Sequence, residues 1–405
     1  MRQILKNARI LDVHSGEVMN EDVLVIEDGR IVDVTRTVPA GESLDLAGQF
    51  LTPGLIDSHV HLVWEGQPDP NQFTISEPAV LTAYRAARSA RRNLEGGITT
   101  VRDVGGPDGI PMAIARAEKQ GMVQGSRVIA CGSPVVQTGG HVYTFSREAD
   151  GADEVRKAVR EQIKAGADAI KLMCSGGAYG ERESIEATQM TPEEIATAVD
   201  EARRAEKRVA AHALNSAAIQ NVLEAGVTTV EHAALLSEQN IETFLKTGAF
   251  MVPTLSPYYL MAREGSEGGI PESAVRKSRQ VMDAYATNLR HAFSRGVRIA
   301  LGTDAGSPGI PHPTVPFEAL LWQRESGISP VEILRAATFT AAQALGIEAE
   351  LGSIETGKIA DLVTYAENPF DDVATLHRPQ RVFRSGVQVS GAHVVWSAHE
   401  ITARA

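Results

Sequence analysis

The sequence predicts an α/β protein, a (β/α)8 TIM barrel inserted into a small β-sandwich domain that the N- and C-terminal segments build together. Three observations predict it. Residues 1–52 alternate short apolar strands with turns and show no helical period. From Leu51 onward, short apolar runs alternate with longer amphipathic ones, the rhythm of repeated β–α units around a parallel sheet. After Leu345 the β-texture returns in LGSIETGKIADLVTY, VFRSGVQV and HVVWS, whose strands are expected to rejoin the N-terminal ones. The implied boundaries are 1–52 and 346–405 for the two halves of the sandwich and 53–345 for the barrel.

Each element has a local cause. VLVIEDGRIVDV carries Asp28-Gly29 between two apolar runs, the strongest short-range hairpin signal. The barrel strands are expected at Leu55–His61, Ile98–Asp103, Arg127–Gly132, Ala169–Met173, Val209–His212, Thr228–His232, Ala249–Pro253 and Arg298–Thr303. That makes eight, the number that closes a barrel. Thr191-Pro192-Glu193-Glu194 and Ser329-Pro330-Val331-Glu332 each place a capping hydroxyl, a proline at the first helical position and an acid at the third.

Bulk properties exclude several function classes. With 405 residues and 43% hydrophobic content, the chain can bury a large core without disulfides. A net charge of −12 and a pI near 5.5 argue against nucleic acid or an anionic membrane as the main partner. Cys131 and Cys174 are too few for a disulfide framework and read as reduced thiols. Charges interrupt every apolar stretch of MRQILKNARILDV, which fits neither a signal peptide nor an anchor. The expected location is cytoplasmic, and the expected partner is a small-molecule substrate.

Polar residues gather where the barrel strands end. His59 and His61 stand two apart on the first strand, so both face the same side. The fifth strand ends at His212, the sixth at His232 and the eighth at Asp304. Lys171 lies inside the apolar run AIKLM. Five of eight strands thus deliver a ligand-capable group near one mouth, where barrel enzymes build their sites. Polar residues that merely plug the barrel top are the alternative. An ammonium buried beside cations would lose its proton, and the neutral amine can capture CO₂ as a carbamate, an anionic ligand able to bridge two metals. Pairing of Lys171 with an acid such as Asp103 is the competing reading.

These residues, with LTPGLIDSHVHL, GGITTVRDVGG, SPVVQTGGH, IKLMCSGG, AGVTTVEHAALLS and LGSIETGKIADLV, make the sequence resemble the binuclear amidohydrolase superfamily. More narrowly, it is similar to the imidazolonepropionase-like branch that includes prolidases and Xaa-Arg or Xaa-Lys dipeptidases. The resemblance implies that His59, His61 and Asp304 bind the more buried of two divalent cations. It assigns His212 and His232 to the other, with carboxylated Lys171 bridging both. Zn²⁺ suits this set best, with Mn²⁺, Fe²⁺ or Co²⁺ as alternatives. Hydroxide formed between the cations would attack a carbonyl, while Asp304 acts as general base and then general acid. His141 would contact the substrate or stabilise the oxyanion, and a homo-oligomer is implied.

Substrate class is less legible. Relatives that hold a free carboxylate often carry Tyr two residues after the strand-5 histidine; here the position is Leu214, so Tyr143, Arg182 or Arg263 would have to supply the anchor. Asn215 replaces the glutamate of single-metal deaminases. The glycine-rich stretch 255–271 reads as a loop placed to act as a lid over the site, with Tyr258, Tyr259, Leu260 and Met261 as pocket residues. Trp64 and Glu65 are further candidates, and Cys174 reads as packing. The expected activity is hydrolysis of a linear amide, either a peptide or an N-acyl amine. The alternatives are a carbamate, urea, lactone or phosphotriester hydrolase, or a non-catalytic scaffold.

Overall fold

The computed structural model describes residues 2–265 and 269–389. Eight parallel strands occupy the expected positions: β1 (Leu55–Val60), β2 (Ile98–Asp103), β3 (Arg127–Ala130), β4 (Ala169–Met173), β5 (Arg208–Asn215), β6 (Thr229–Leu235), β7 (Phe250–Val252) and β8 (Arg298–Ile299). One sheet runs β3-β2-β1. In the other, β4 to β8 lie in sequence order beside two short strands, Val135–Val136 and Arg147–Glu148. Backbone bonds also run between the sheets, from Asp168 N to Ala130 O at 2.8 Å and from His61 N to Ala305 O at 2.9 Å. The architecture is an α/β fold of the TIM-barrel type.

Helices follow the strands: α1 (Ala79–Glu95), α2 (Ile110–Lys119), α3 (Ala152–Ala165), α4 (Pro192–Arg204), α5 (Ser216–Ala225) and α6 (Glu238–Thr247). After β7 come two, α7 (Leu255–Glu264) and α8 (Glu272–Ser294), and after β8 come α9 (Val315–Leu321), α10 (Pro330–Ala336) and α11 (Phe339–Leu345). Both sequence-predicted caps form full capping boxes, at Thr191 with Glu194 and at Ser329 with Glu332. The stretch read as a loop from 255 is instead helical to Glu264, because Leu255, Leu260 and Met261 bury their side chains in the core. Residues 266–268 of that stretch lie outside the described residues. No described helix is long and apolar enough to cross a membrane.

The chain's two ends meet in one sheet. Leu362–Tyr365 pairs antiparallel with Phe50–Pro53, which pairs parallel with Arg9–Asp12. A second sheet holds the hairpin Val23–Glu27/Arg30–Thr35, turned by Asp28 (φ 48°) and Gly29 (φ 80°), the positive-φ pair that Asp-Gly supplies. Leu5, Leu24, Ile26, Leu51, Leu362 and Phe383 from both sheets share a core. The expected strand HVVWS (393–397) lies outside the described residues.

Candidate active site

A cavity of about 670 Å³ opens at the C-terminal ends of the parallel strands, and His59, His61, Lys171, His212, His232 and Asp304 all line it. His59 Nε2 and His61 Nε2 each stand 3.5 Å from Asp304 Oδ1. That oxygen is buried and accepts no hydrogen bond among the described residues. Three ligand atoms within 4.8 Å of one another therefore face a shared point. His232 lies beside them, its ring centroid 5.0 Å from that of His59 and 4.7 Å from that of His212.

The backbone reaches this geometry at a cost. His232 (φ 67°), Ala233 (φ 48°) and Asp304 (φ 59°) adopt left-handed conformations that non-glycine residues seldom take, and such strain gathers at functional sites. In a regular strand Glu231 and His232 would face opposite sides. Here the left-handed turn lets both reach the site: Glu231 Oε2 lies 2.7 Å from His59 Nδ1.

Glu231 organises the floor. Arg102, on the other sheet, donates to Glu231 Oε1 at 2.8 Å, to Thr229 Oγ1 at 2.9 Å and to Ser58 O at 2.7 Å. Thr229 Oγ1 also donates to Glu231. This buried ion pair holds His59 with Nε2 toward the cavity, the carboxylate–histidine arrangement that orients metal ligands. His61 Nδ1 meets Gly105 O at 2.8 Å, and His232 Nδ1 meets Thr254 Oγ1 at 2.7 Å. Asp57 joins β1 to the segment after β8, accepting from Thr303 Oγ1 at 2.6 Å.

Electrostatics follow burial. Desolvation lowers His59, His212 and His232 well below their ordinary values and His61 to about 3, so all four are neutral, the form that binds metal. Burial pushes Asp304 up to about 7, against the pull of Ser307 and Lys171. Lys171 is lowered chiefly by burial, with Glu231 opposing. The donor set of neutral imidazoles, an orphaned carboxylate oxygen and a buried lysine whose ammonium form burial disfavours fits divalent cations.

Not every expected residue reaches the cavity. His141, Tyr143, Arg182, Trp64, Tyr258 and Met261 line it. Leu214 does not: it is fully buried in the hydrophobic core, so its identity does not shape the cavity wall. Tyr259, Leu260 and Arg263 are likewise absent from the lining, and Arg263 donates to Tyr259 Oη at 2.8 Å. Glu65 is held by Arg85 and Arg88. Asp103 accepts from Leu62 N and Gly105 N and is not the partner of Lys171. Asn215 caps α5 through Ala218 N and donates to Ile185 O, a structural task. Cys131 and Cys174 are free and buried.

Sequence reading missed Arg102, Glu231 and Glu183. The first two stood in the quoted motifs VRD and VEH, charged residues of opposite sign inside apolar strands. Their distance in sequence concealed the pairing.

Comparison with known proteins places this geometry. The chain is 30% identical to the ochratoxinase of Aspergillus niger, over 93% of this chain and 83% of that protein. A solved Xaa-Pro dipeptidase with methionine bound in its active site is 29% identical, with a TM-score of 0.90 over 96% of this chain and 100% of that one. A prolidase complexed with N-methylphosphonate-L-proline is 32% identical, with a TM-score of 0.87 over 96% and 99%. The model of the amidohydrolase family matches residues 50–389. The chain therefore belongs to the amidohydrolase family and is a hydrolase of carbon–nitrogen bonds.

Proposed function

We propose that the protein is a binuclear metal-dependent amidohydrolase that cleaves a linear amide, a peptide or an N-acyl amine. The observation that carries this reading is the meeting of His59, His61, Lys171, His212, His232 and Asp304 on one cavity, with a buried Asp304 oxygen left without a partner. His59, His61 and Asp304 would hold one cation and His212 with His232 the other, with Lys171 as a carbamate between them. Zn²⁺ is the best match to the donors. The reading also takes β1 to β8 as a closed barrel over 53–345, with 1–52 and 346–405 as one β-sandwich.

Two bound cations would supply Lewis acidity, polarising the carbonyl and acidifying water. The protein's own groups do the rest. Asp304 takes the proton of the attacking water on the carboxylate oxygen it does not give to a cation, and passes that proton to the departing amine. His141 holds the substrate through its Nε2 edge. Trp64, Met173, Tyr258 and Met261 give the cavity an apolar wall that receives a side chain and excludes water. Arg182, exposed at the lining, is the cation placed to meet a substrate carboxylate, the task that Leu214 does not perform.

The test is amine release by Zn²⁺-loaded protein from dipeptides, N-acyl amino acids and carboxylate-free aryl amides or carbamates. Turnover of the first two classes, lost on Arg182→Ala, supports the reading with Arg182 as anchor. Turnover of carboxylate-free compounds alone would move the substrate class to neutral amides or carbamates. No amine from any of them would refute the amidase reading.

A further inference from the structure

The segment between β4 and α4 lies along one side of the cavity, and His141 reaches the same side from the loop after β3. Four contacts confine the His141 ring. Its Nδ1 lies 2.7 Å from Glu183 Oε2, and its backbone N–H donates to Gln189 Oε1 at 2.8 Å. Its ring lies against that of His212, with centroids 4.4 Å apart and planes 31° from parallel. Gly177 closes in next to it: a Cβ there would stand 2.0 Å from His141 Cε1. With Nδ1 engaged, Nε2 is the ring nitrogen left for a substrate.

Glu183 is itself held. Its Oε2 accepts from Gly177 N at 2.6 Å. Its backbone carbonyl accepts from Lys277 Nζ at 2.9 Å, and the same ammonium donates to Gly180 O at 2.5 Å. Lys277 is a buried residue of α8, the helix packed against α7, which carries Tyr258 and Met261. The turn bearing Glu183 and the apolar wall are thus fastened to one helix. Burial pulls the Glu183 carboxyl upward, but His141, Gly177 N–H and Lys277 outweigh it and keep it ionised.

We propose that Glu183 is the positioning residue of His141: seated in a turn that Lys277 anchors, its carboxylate fixes the imidazole so that Nε2 meets the substrate. The inference rests on the reading of His141 as a substrate contact. Misplacing such a group by an ångström costs up to about 10²-fold in rate.

The experiment is a double-mutant cycle on the full-length Zn²⁺-loaded protein, using whichever panel dipeptide, N-acyl amino acid or aryl amide it cleaves fastest. Glu183→Gln is expected to lower kcat/KM by about 10- to 100-fold, with the zinc content of the wild type. Combined with His141→Asn it should be no worse than His141→Asn alone. Lys277→Met should act in the same direction, more weakly, and also be silent in the His141→Asn background. A crystal structure of Glu183→Gln should show the His141 ring turned from its wild-type orientation. Losses that multiply in the double variant, or an unmoved ring with unchanged kcat/KM, would overturn the positioning role and leave His141 in place. Wild-type kcat/KM in His141→Asn would overturn the substrate-contact reading, and the inference with it.

Discussion

Replacing Glu231 by glutamine removes one negative charge from the floor of the site while keeping the shape of the side chain. Three groups lose by it. His59 Nδ1, 2.7 Å away, loses a charged acceptor, and such a bond is worth about 1.5–3 kcal/mol. Arg102 is left as a buried cation without its partner, and Thr229 Oγ1 loses an anionic acceptor. If the His59 term falls wholly on the metal, 1.5–3 kcal/mol becomes about a 10- to 150-fold rise in Kd. The assay is competition for Zn²⁺ against a chelator of known affinity, with zinc per chain measured after dialysis. The Arg102 term is read separately, as a lower unfolding temperature of the metal-free protein. A Glu231→Gln protein that binds zinc within twofold of wild type would refute the claim that this carboxylate orients His59.

Four further outcomes follow from the same geometry. Asp304→Asn should lower kcat by about 10²–10⁴-fold with the fold intact by circular dichroism; near-wild-type turnover would remove Asp304 from proton transfer. On the binuclear reading proposed above, Lys171→Ala should bind one fewer metal ion than the wild type, and a small carboxylic acid such as formate should restore part of the activity; a variant with unchanged metal content would end the proposed bridging role. Gly177→Ala must displace the His141 ring, since its Cβ would stand 2.0 Å from Cε1, so kcat/KM should fall while zinc content holds; unchanged kinetics would show that the ring is free to move. Burial holds His377 at about 4, aided by Arg378 and opposed by a backbone bond to Pro316, and its Nε2 has no partner among the described residues. Because the unfolded chain takes up the proton near the ordinary 6.5, stability falls as pH drops from 6.5 toward 4, by up to about 1.4 kcal/mol per unit. His377→Leu should flatten that decline in unfolding temperature; parallel declines would exclude His377 as the source.

The strands and the candidate ligands were legible because each has a local signature. An apolar run that stops at a histidine or aspartate names both a strand and its end, and all eight strands lie on their expected runs. What escaped was whatever depends on contacts distant in sequence or on a local break in period. Leu214 occupied the position where relatives carry a substrate-holding tyrosine, yet β5 changes register between Ala213 and Asn215, and the side chain enters the core. The stretch from Leu255 looked like loop because of its glycines, which lie beyond Glu264; its apolar half winds into a helix whose first backbone N–H groups are taken by the buried carboxylate of Glu318. Arg102 and Glu231 are 129 residues apart and belong to different sheets, so no periodicity connects them.

The left-handed residues at His232, Ala233 and Asp304 have a consequence for anyone who would make this enzyme hardier. Strain of this kind stores about 1–3 kcal/mol at each residue. Folding loads that energy before any ligand arrives, and the surrounding core keeps it loaded. Ala233→Gly would release part of it and raise the melting point, as glycine tolerates positive φ. The same release would free the chain beside His232 to relax toward ordinary strand geometry, swinging either the imidazole or Glu231 away from the cavity. Gains in thermal endurance should therefore be sought in the outer helices and the terminal β-strands, because at this mouth rigidity and tension are the same property.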